Sequence, residues 1–347
     1  MKRFFYPAIL LCMIVPLFSC LSDNGRTQNE DSSPTGRLVI YTSMYPDVIE
    51  QLDWALQRQF PRARIEFVYG GTGEIQARIA AEHASGKLGA DILLVAEPSY
   101  SLELKSKRML HSFTSRSAPA LAFDFDEEGY WYPVRISNMV LAFNPRLNNR
   151  SSLPNSFYDF AHSPNVRGSI SMSNPLTSGT TKAAVTALRD RYGYEYFEAL
   201  GRQNVSIQSG ALALDKLENG EFKVIMVLEE SVLQRRSQER SDLEIIYPTD
   251  GTIIIPSTIM IVANRLSANN NTRSAERVVD WFLAPDGQNA IVDGWMHSVR
   301  RNFRSTPAGS VPMNRLEANS MPFNWENSFR YRNEILAKFE ELVLYRQ

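Results

Sequence analysis

Cysteine is nearly missing from this chain, which carries only Cys12 and Cys20 in 347 residues. Both fall within the first twenty positions, so the remainder cannot be held by disulfides and has no thiol for a nucleophile or a thiolate metal site. Histidine is scarce as well, and His83, His111, His162 and His297 lack the spacing of metal ligands. A charge excess is also missing. The formal net charge is −1, and removing Lys2 and Arg3 with a cleaved leader leaves −3, which excludes a general nucleic-acid binder with its basic surplus. No Gly-x-Ser-x-Gly elbow and no His-Glu-x-x-His occurs, so the common hydrolase signatures are absent. The longest apolar run, residues 4–18, is interrupted by Pro7 and Pro16 and falls short of the roughly 20 apolar residues that a membrane span needs.

What the chain does hold begins with an export signal. Lys2 and Arg3 precede the apolar run, which closes on the small residue Ser19, the order expected of a secretory leader over residues 1–19. Leu17, Phe18, Ser19 and Cys20 resemble the lipobox of bacterial lipoproteins, where the thiol is diacylated and the chain is cut before the cysteine. The plainer alternative is an ordinary leader with a chance cysteine. The resemblance implies lipidation of Cys20 and a membrane anchor, because each buried methylene contributes about 0.8 kcal/mol and two or three acyl chains hold where one does not. Residues 20–37 are polar and nearly free of apolar side chains, which predicts a flexible tether, with folding starting near Leu38.

Beyond the tether, short buried-strand runs alternate with stretches of helical spacing. Residues 38–41, 64–69 and 91–95 read as strands, and 48–60 and 74–84 as helices. A second block has strands at 139–143, 168–172 and 223–228, with helices at 178–191, 195–203 and 212–219. The chain then runs through 244–247, a turn at 248–251 and a β-branched run at 253–262, to helices at 275–283, 288–295 and 325–345. The last helix is expected to pack back on the first block. Strands alternating with helices predict an α/β fold with parallel sheets, and the length suits about two domains.

Several segments, taken in order, resemble the extracellular solute-binding proteins of ABC importers, in the branch of ferric-ion, sugar-phosphate and aminoalkylphosphonate binders. They are LVIYTS at 38–43, GGTG at 70–73, GADI at 89–92, NPLTSGT at 174–180, and YPTDGT at 247–252 with IPS at 255–257. The resemblance implies a two-lobed periplasmic-binding-protein type II fold, with lobe 1 at residues 38–135 and 256–347 and lobe 2 at 136–255. The crossings are expected near 135–138 and 251–257, and the lobes close on one solute about this hinge. It implies an extracytoplasmic, monomeric carrier, not an enzyme, without cofactor or metal. Its partners are a small anionic solute, an ABC permease and the membrane reached through the anchor.

The candidate site residues follow from strand ends and helix starts. Gly71, Thr72 and Gly73 follow a strand and open a helix, so their N–H groups and the Thr72 hydroxyl suit an anion; a plain glycine turn is the alternative, and the family resemblance favours the anion. Ser178, Gly179 and Thr180 have the same form in the second block, where an N-cap and an anion site draw on the same unpaired donors. A phosphoryl group between the two helix starts would take donors from both. Ser43 sits at the carboxyl end of the first strand, as a ligand contact or a simple loop residue, and Met44 and Tyr45 are candidates to wall the cleft. Glu229 and Glu230 stand where ferric binders carry adjacent tyrosines. They are candidates to accept from sugar hydroxyls or to pair with an ammonium group, against a solvated pair with one carboxylate facing water. Asp250 lies in a type I or II turn that the family places beside the hinge. Arg135 is a candidate partner for an anion, with a surface ion pair the favoured alternative. The expected solute is a phosphorylated sugar or a phosphonate; a ferric ion and a solute sensor are the alternatives.

Overall fold

A computed structural model describes residues Met1, 33–96 and 98–345. The expected leader after Met1, the expected lipidation site Cys20 and the expected tether as far as residue 32 lie outside the described residues.

Among the described residues, ten strands form one sheet. They are β1 (Gly36–Thr42), β2 (Ala63–Tyr69), β3 (Ile92–Ala96), β4 (Leu110–His111), β5 (Tyr132–Phe143), β6 (Ile170–Ser173), β7 (Ser206–Gln208), β8 (Val224–Leu228), β9 (Glu244–Ile246) and β10 (Ile253–Val262). Their order is β2-β1-β3-β10-β5-β8-β6-β7, with β4 on β10 and β9 on β5. The helices in chain order are α1 (Pro46–Gln59), α2 (Thr72–Ala84), α3 (Ser99–Ser106), α4 (Phe157–His162), α5 (Gly179–Tyr192), α6 (Glu195–Arg202), α7 (Gly210–Glu218), α8 (Glu229–Gln238), α9 (Thr272–Leu283), α10 (Pro285–Asp293), α11 (Met313–Ala318) and α12 (Trp325–Phe339).

The pairing pattern explains the two lobes. At one end β2, β1 and β3 are parallel, and at the other β8, β6 and β7 are parallel. Between them β10 and β5 run antiparallel to each other and to their outer neighbours. Strand β5 is buried along all 12 residues; it pairs with β10 from Tyr132 to Met139, and with β8 from Met139 onward. Met139 is therefore the residue at which one ladder hands over to the other, and the chain crosses between lobes on β5 and β10.

Parallel strands connected by helices are covered on both faces and must be apolar on both. In β1, Leu38 and Ile40 enter the core beneath α1, α9 and α10, while Val39 and Tyr41 enter the core shared with Ile75 and Ile79 of α2. This alternation follows from the two-residue period of a strand. The first strand starts before Leu38: Gly36 and Arg37 already pair with Ala63 and Arg64, and the Thr35 amide donates to Ser274 Oγ at 3.2 Å.

The terminal helix departs from expectation. Its apolar residues Ile335 and Phe339, continued by Leu342 and Val343 on a π turn, join the core of the second lobe instead of the first block. Phe339 meets Phe197 of α6 edge to face at 5.4 Å. Its polar side reaches the first lobe, where Arg332 pairs with Glu103 of α3. An amphipathic stripe states that a helix packs, not what it packs on.

Candidate functional site

The strand ends converge on a cleft of about 570 Å³ between the lobes. The first lobe supplies Ser43 after β1, Tyr69, Gly71 and Thr72 after β2, Tyr45 at the start of α1, and Arg135 from β5. The second lobe supplies Ser173 and Asn174 after β6, Ser178, Gly179 and Thr180 at the start of α5, and Gln208, Ser209 and Gly210 after β7. Every parallel strand that reaches the cleft presents its carboxyl end, as an open α/β sheet requires.

Sequence signals placed part of this lining. Ser43, Gly71, Thr72, Ser178, Gly179 and Thr180 all line the cleft, and Ser43 Oγ also accepts from the Ala96 amide at 3.2 Å. Ser178 caps α5 as well, accepting from the Thr181 amide at 3.2 Å and the Thr181 hydroxyl at 3.0 Å. Gln208, Ser209 and Gly210 were missed because β7 is only three residues long and half-buried. The available signal was Ser209, whose hydroxyl caps α7 by accepting from the Leu212 amide at 3.3 Å.

The two helix starts are not separated by a gap. The Gly73 amide donates to Thr177 O of the opposite lobe at 3.0 Å, and a Cβ on Gly73 would sit 2.8 Å from Leu176 O. A Cβ on Gly179 would sit 2.7 Å from the Thr72 hydroxyl. Both glycines are therefore required by close approach, and the expected phosphoryl group does not fit between the two termini as they stand. Instead the contact divides the space, with the cleft on one side and a second cavity of about 670 Å³ on the other. Gly73 lines that second cavity, with Glu103, Lys107 and Arg332.

Three further candidates are placed elsewhere, and for each the reason is a set of partners. Asp250 does not line the cleft: its carboxylate accepts from the Phe157 and Tyr158 amides at 3.1 and 3.0 Å and from the Tyr192 hydroxyl at 2.6 Å. A carboxylate on the first N–H groups of α4 is a helix cap. Glu229 and Glu230 are both buried, correcting the expectation that one faces solvent. Glu229 takes four donors, from Asn138 Nδ2 at 2.7 Å, the Tyr247 hydroxyl at 2.5 Å, the Ser310 hydroxyl at 2.5 Å and His297 Nε2 at 3.2 Å. Burial pushes Glu229 up, yet His297 and the hydroxyls together hold its carboxyl below the ordinary value.

Glu230 has far fewer partners. Its Oε1 accepts from the Ser137 hydroxyl at 2.7 Å and lies 3.6 Å from Arg135 Nη1. Burial raises Glu230 above the ordinary carboxyl value, and Arg135 offsets this only in part. Arg135 is 3% exposed, which corrects the surface ion pair favoured from sequence. Its Nη1 approaches Met296 Sδ at 2.7 Å, and its buried Nε has no hydrogen-bond partner among the described residues. Among the described residues, no group of three or more His, Cys, Asp or Glu side chains is placed to hold a metal ion, and no helix is long and apolar enough to cross a membrane.

This arrangement of two α/β lobes, crossing strands and a polar cleft at the strand ends defines a solute carrier. Residues 89–326 match the bacterial extracellular solute-binding protein family, and the chain belongs to it, as a solute-binding protein of the ABC-importer kind. No curated protein matches the chain. Among solved structures, iron-bound HitA from Pseudomonas aeruginosa is similar, with a TM-score of 0.77 and 20% identity over 89% of this chain and 99% of that one. AfuA from Actinobacillus pleuropneumoniae, with fructose-6-phosphate bound, has a TM-score of 0.77 and 19% identity over the same shares. A periplasmic thiamin-binding protein has a TM-score of 0.74 and 16% identity over 88% of this chain and 96% of that one. At such identities the likeness speaks for the fold, and the cleft itself must speak for the solute.

Proposed function

We propose that this protein captures a small organic anion, a phosphorylated sugar or a phosphonate, between its lobes and delivers it to an ABC permease as a monomer. In this reading the Cys20 thiol carries the lipid that holds it on the extracytoplasmic side of the membrane. The observation that carries the anion reading is the composition of the cleft wall. One guanidinium, Arg135, stands with the hydroxyls of Ser43, Thr72, Thr180 and Ser209 and the amides of Asn174 and Gln208. Among the described residues the one carboxylate in the wall, Glu74, is occupied with the Gly71 amide at 3.0 Å. Such a lining is rich in donors and poor in charge of the solute's own sign. AfuA, which binds fructose-6-phosphate, offers a precedent for this solute class on the same fold.

A ferric ion is the competing cargo, since the phenols of Tyr45 and Tyr69 also line the cleft. Burial raises both phenols above their ordinary value, so neither is a ready phenolate. Calorimetric titration with fructose 6-phosphate, 2-aminoethylphosphonate, inorganic phosphate and ferric citrate tests the assignment. The expected outcome is tight binding of an organic anion; tight binding of iron with no organic anion bound would overturn it. Metabolic labelling with a radioactive fatty acid tests the anchor, and label retained by a Cys20→Ser variant would refute lipidation at that residue.

A further inference from the structure

Arg135 lines the cleft and Glu230 stands behind it, outside the lining, in the geometry of an unfinished ion pair. Both residues are 3% exposed, yet Nη1 and Oε1 stand 3.6 Å apart, beyond hydrogen-bond range. Nη1 instead rests on Met296 Sδ, Nε is unpaired among the described residues, and Glu230 Oε1 is bonded to Ser137. Neither charge is satisfied by the other. A buried guanidinium with unused donor capacity, in the wall of a cleft, is matched by a doubly bonding oxyanion.

We infer that Arg135 receives the anionic group of the solute, and that Glu230, its resident counter-charge, takes up one proton from bulk water when the solute binds. This rests on the anionic-solute reading above. The argument is one of charge balance in a desolvated place. Without solute, Arg135 and Glu230 sum to zero. An oxyanion delivered to Arg135 leaves Glu230 as a second negative charge behind the same guanidinium, and two like charges sharing one buried cation raise the cost of keeping both. Protonating Glu230 on one carboxyl oxygen restores neutrality, and no other bond forms or breaks. The groups facing Glu230 leave it as the seat of that proton. Arg135 and Ser137 face it from β5, Glu229 adjoins it on α8, and Tyr45 approaches from the start of α1. Arg135 keeps its charge, Tyr45 is already a neutral phenol raised by burial, and Glu229 is engaged by four donors. Burial has already moved Glu230 toward its protonated form.

Calorimetry of the full chain with fructose 6-phosphate, 2-aminoethylphosphonate and inorganic phosphate, each in two buffers of very different ionisation enthalpy, measures the proton directly. Above the pH at which Glu230 ionises in the solute-free protein, the expected result is uptake approaching one proton per anion bound, with affinity falling by up to about tenfold per pH unit as pH rises. Glu230→Gln is expected to bind with the uptake gone and the affinity flat in pH; Arg135→Gln is expected to bind at least about tenfold more weakly. Equal heats in both buffers for a bound anion, or uptake that persists in Glu230→Gln, would overturn the coupling while leaving the anion reading in place. Failure of all three anions to bind would bring down that reading, and the coupling with it. The wild-type buffer comparison needs no variant, so poor folding of either substitution leaves the test intact.

Discussion

Glu229 and Glu230 are adjacent at the start of α8, and they belong to two different regions of the molecule. Glu229 turns into a hub where three segments that pass between the lobes meet: Asn138 on β5, Tyr247 ahead of β10, and His297 with Ser310 on the return segment. Glu230 turns toward Arg135 of the cleft wall, where its partners are one hydroxyl and one offset guanidinium. Both are desolvated to a similar degree, yet one carboxyl is held below its ordinary value and the other above. The lesson is that the number of donors, more than burial itself, decides whether a buried carboxylate keeps its charge. A fully satisfied acid fixes the crossing; an under-satisfied one is free to answer a solute.

The comparison breaks most clearly at the hub. Glu229→Ala strands two buried donors, Asn138 and His297, and two half-buried hydroxyls, and should cost about 3–5 kcal/mol of stability in urea unfolding, whereas Glu229→Gln keeps the shape and should cost about 1–3 kcal/mol. A loss below about 1 kcal/mol in the alanine variant would show that the hub does not tie the crossing segments. A smaller effect is expected where the lobes touch. Gly73→Ala places a Cβ against Leu176 O and the Thr177 backbone, which opens the lobes and should weaken solute binding about tenfold at nearly unchanged melting temperature. Small-angle scattering would record the opening as a larger radius of gyration.

The pH dependence of stability sharpens the contrast further, because the two acids act with opposite sign. A carboxyl held low in the fold contributes stability that is present above its unfolded value and is lost as pH falls through the folded value, so Glu229→Gln should flatten the acid limb. A carboxyl held high gives the reverse. Its charged form costs stability above the folded value, and stability returns as pH falls through it, so Glu230→Gln should remove a gain on acidification from the alkaline side. Thermal melts of both variants across pH would show the same slope change in each if the contrast were unreal. The smallest effect is expected away from both regions. Arg332→Ala breaks a partly buried pair with Glu103, which keeps Lys107 as a partner, and should cost about 1 kcal/mol, with solute affinity unchanged.

The run 253–262 read from sequence coincides with β10, and 132–143 emerges as one long strand where the sequence marked the stretch before Asn144. These were legible because both stretches are dominated by β-branched and apolar residues, the composition of a buried strand. Ser43, Gly71 and Thr72 were legible as cleft residues because strand ends and helix starts carry a local signature of small and hydroxyl side chains. Arg135 was legible as a candidate anion partner, but its burial was not: an arginine inside an apolar strand reads as a surface ion pair until the neighbouring strands close over it. Asp250 was misread for a related reason, since the α4 N–H groups that it caps come from residues almost a hundred positions away.

By itself, the sequence determined the alternation of strands and helices, the strand ends that form a cleft, and the small residues that let helix starts approach closely. Each of these is encoded within a few neighbouring residues, by periodicity, steric size and capping. Only the tertiary structure decided which lobe the terminal helix joins, which of two adjacent glutamates is satisfied, and that a guanidinium stands half-paired in the cleft wall. Those outcomes depend on partners supplied by distant segments, and the balance of desolvation against donors exists only once those segments have met.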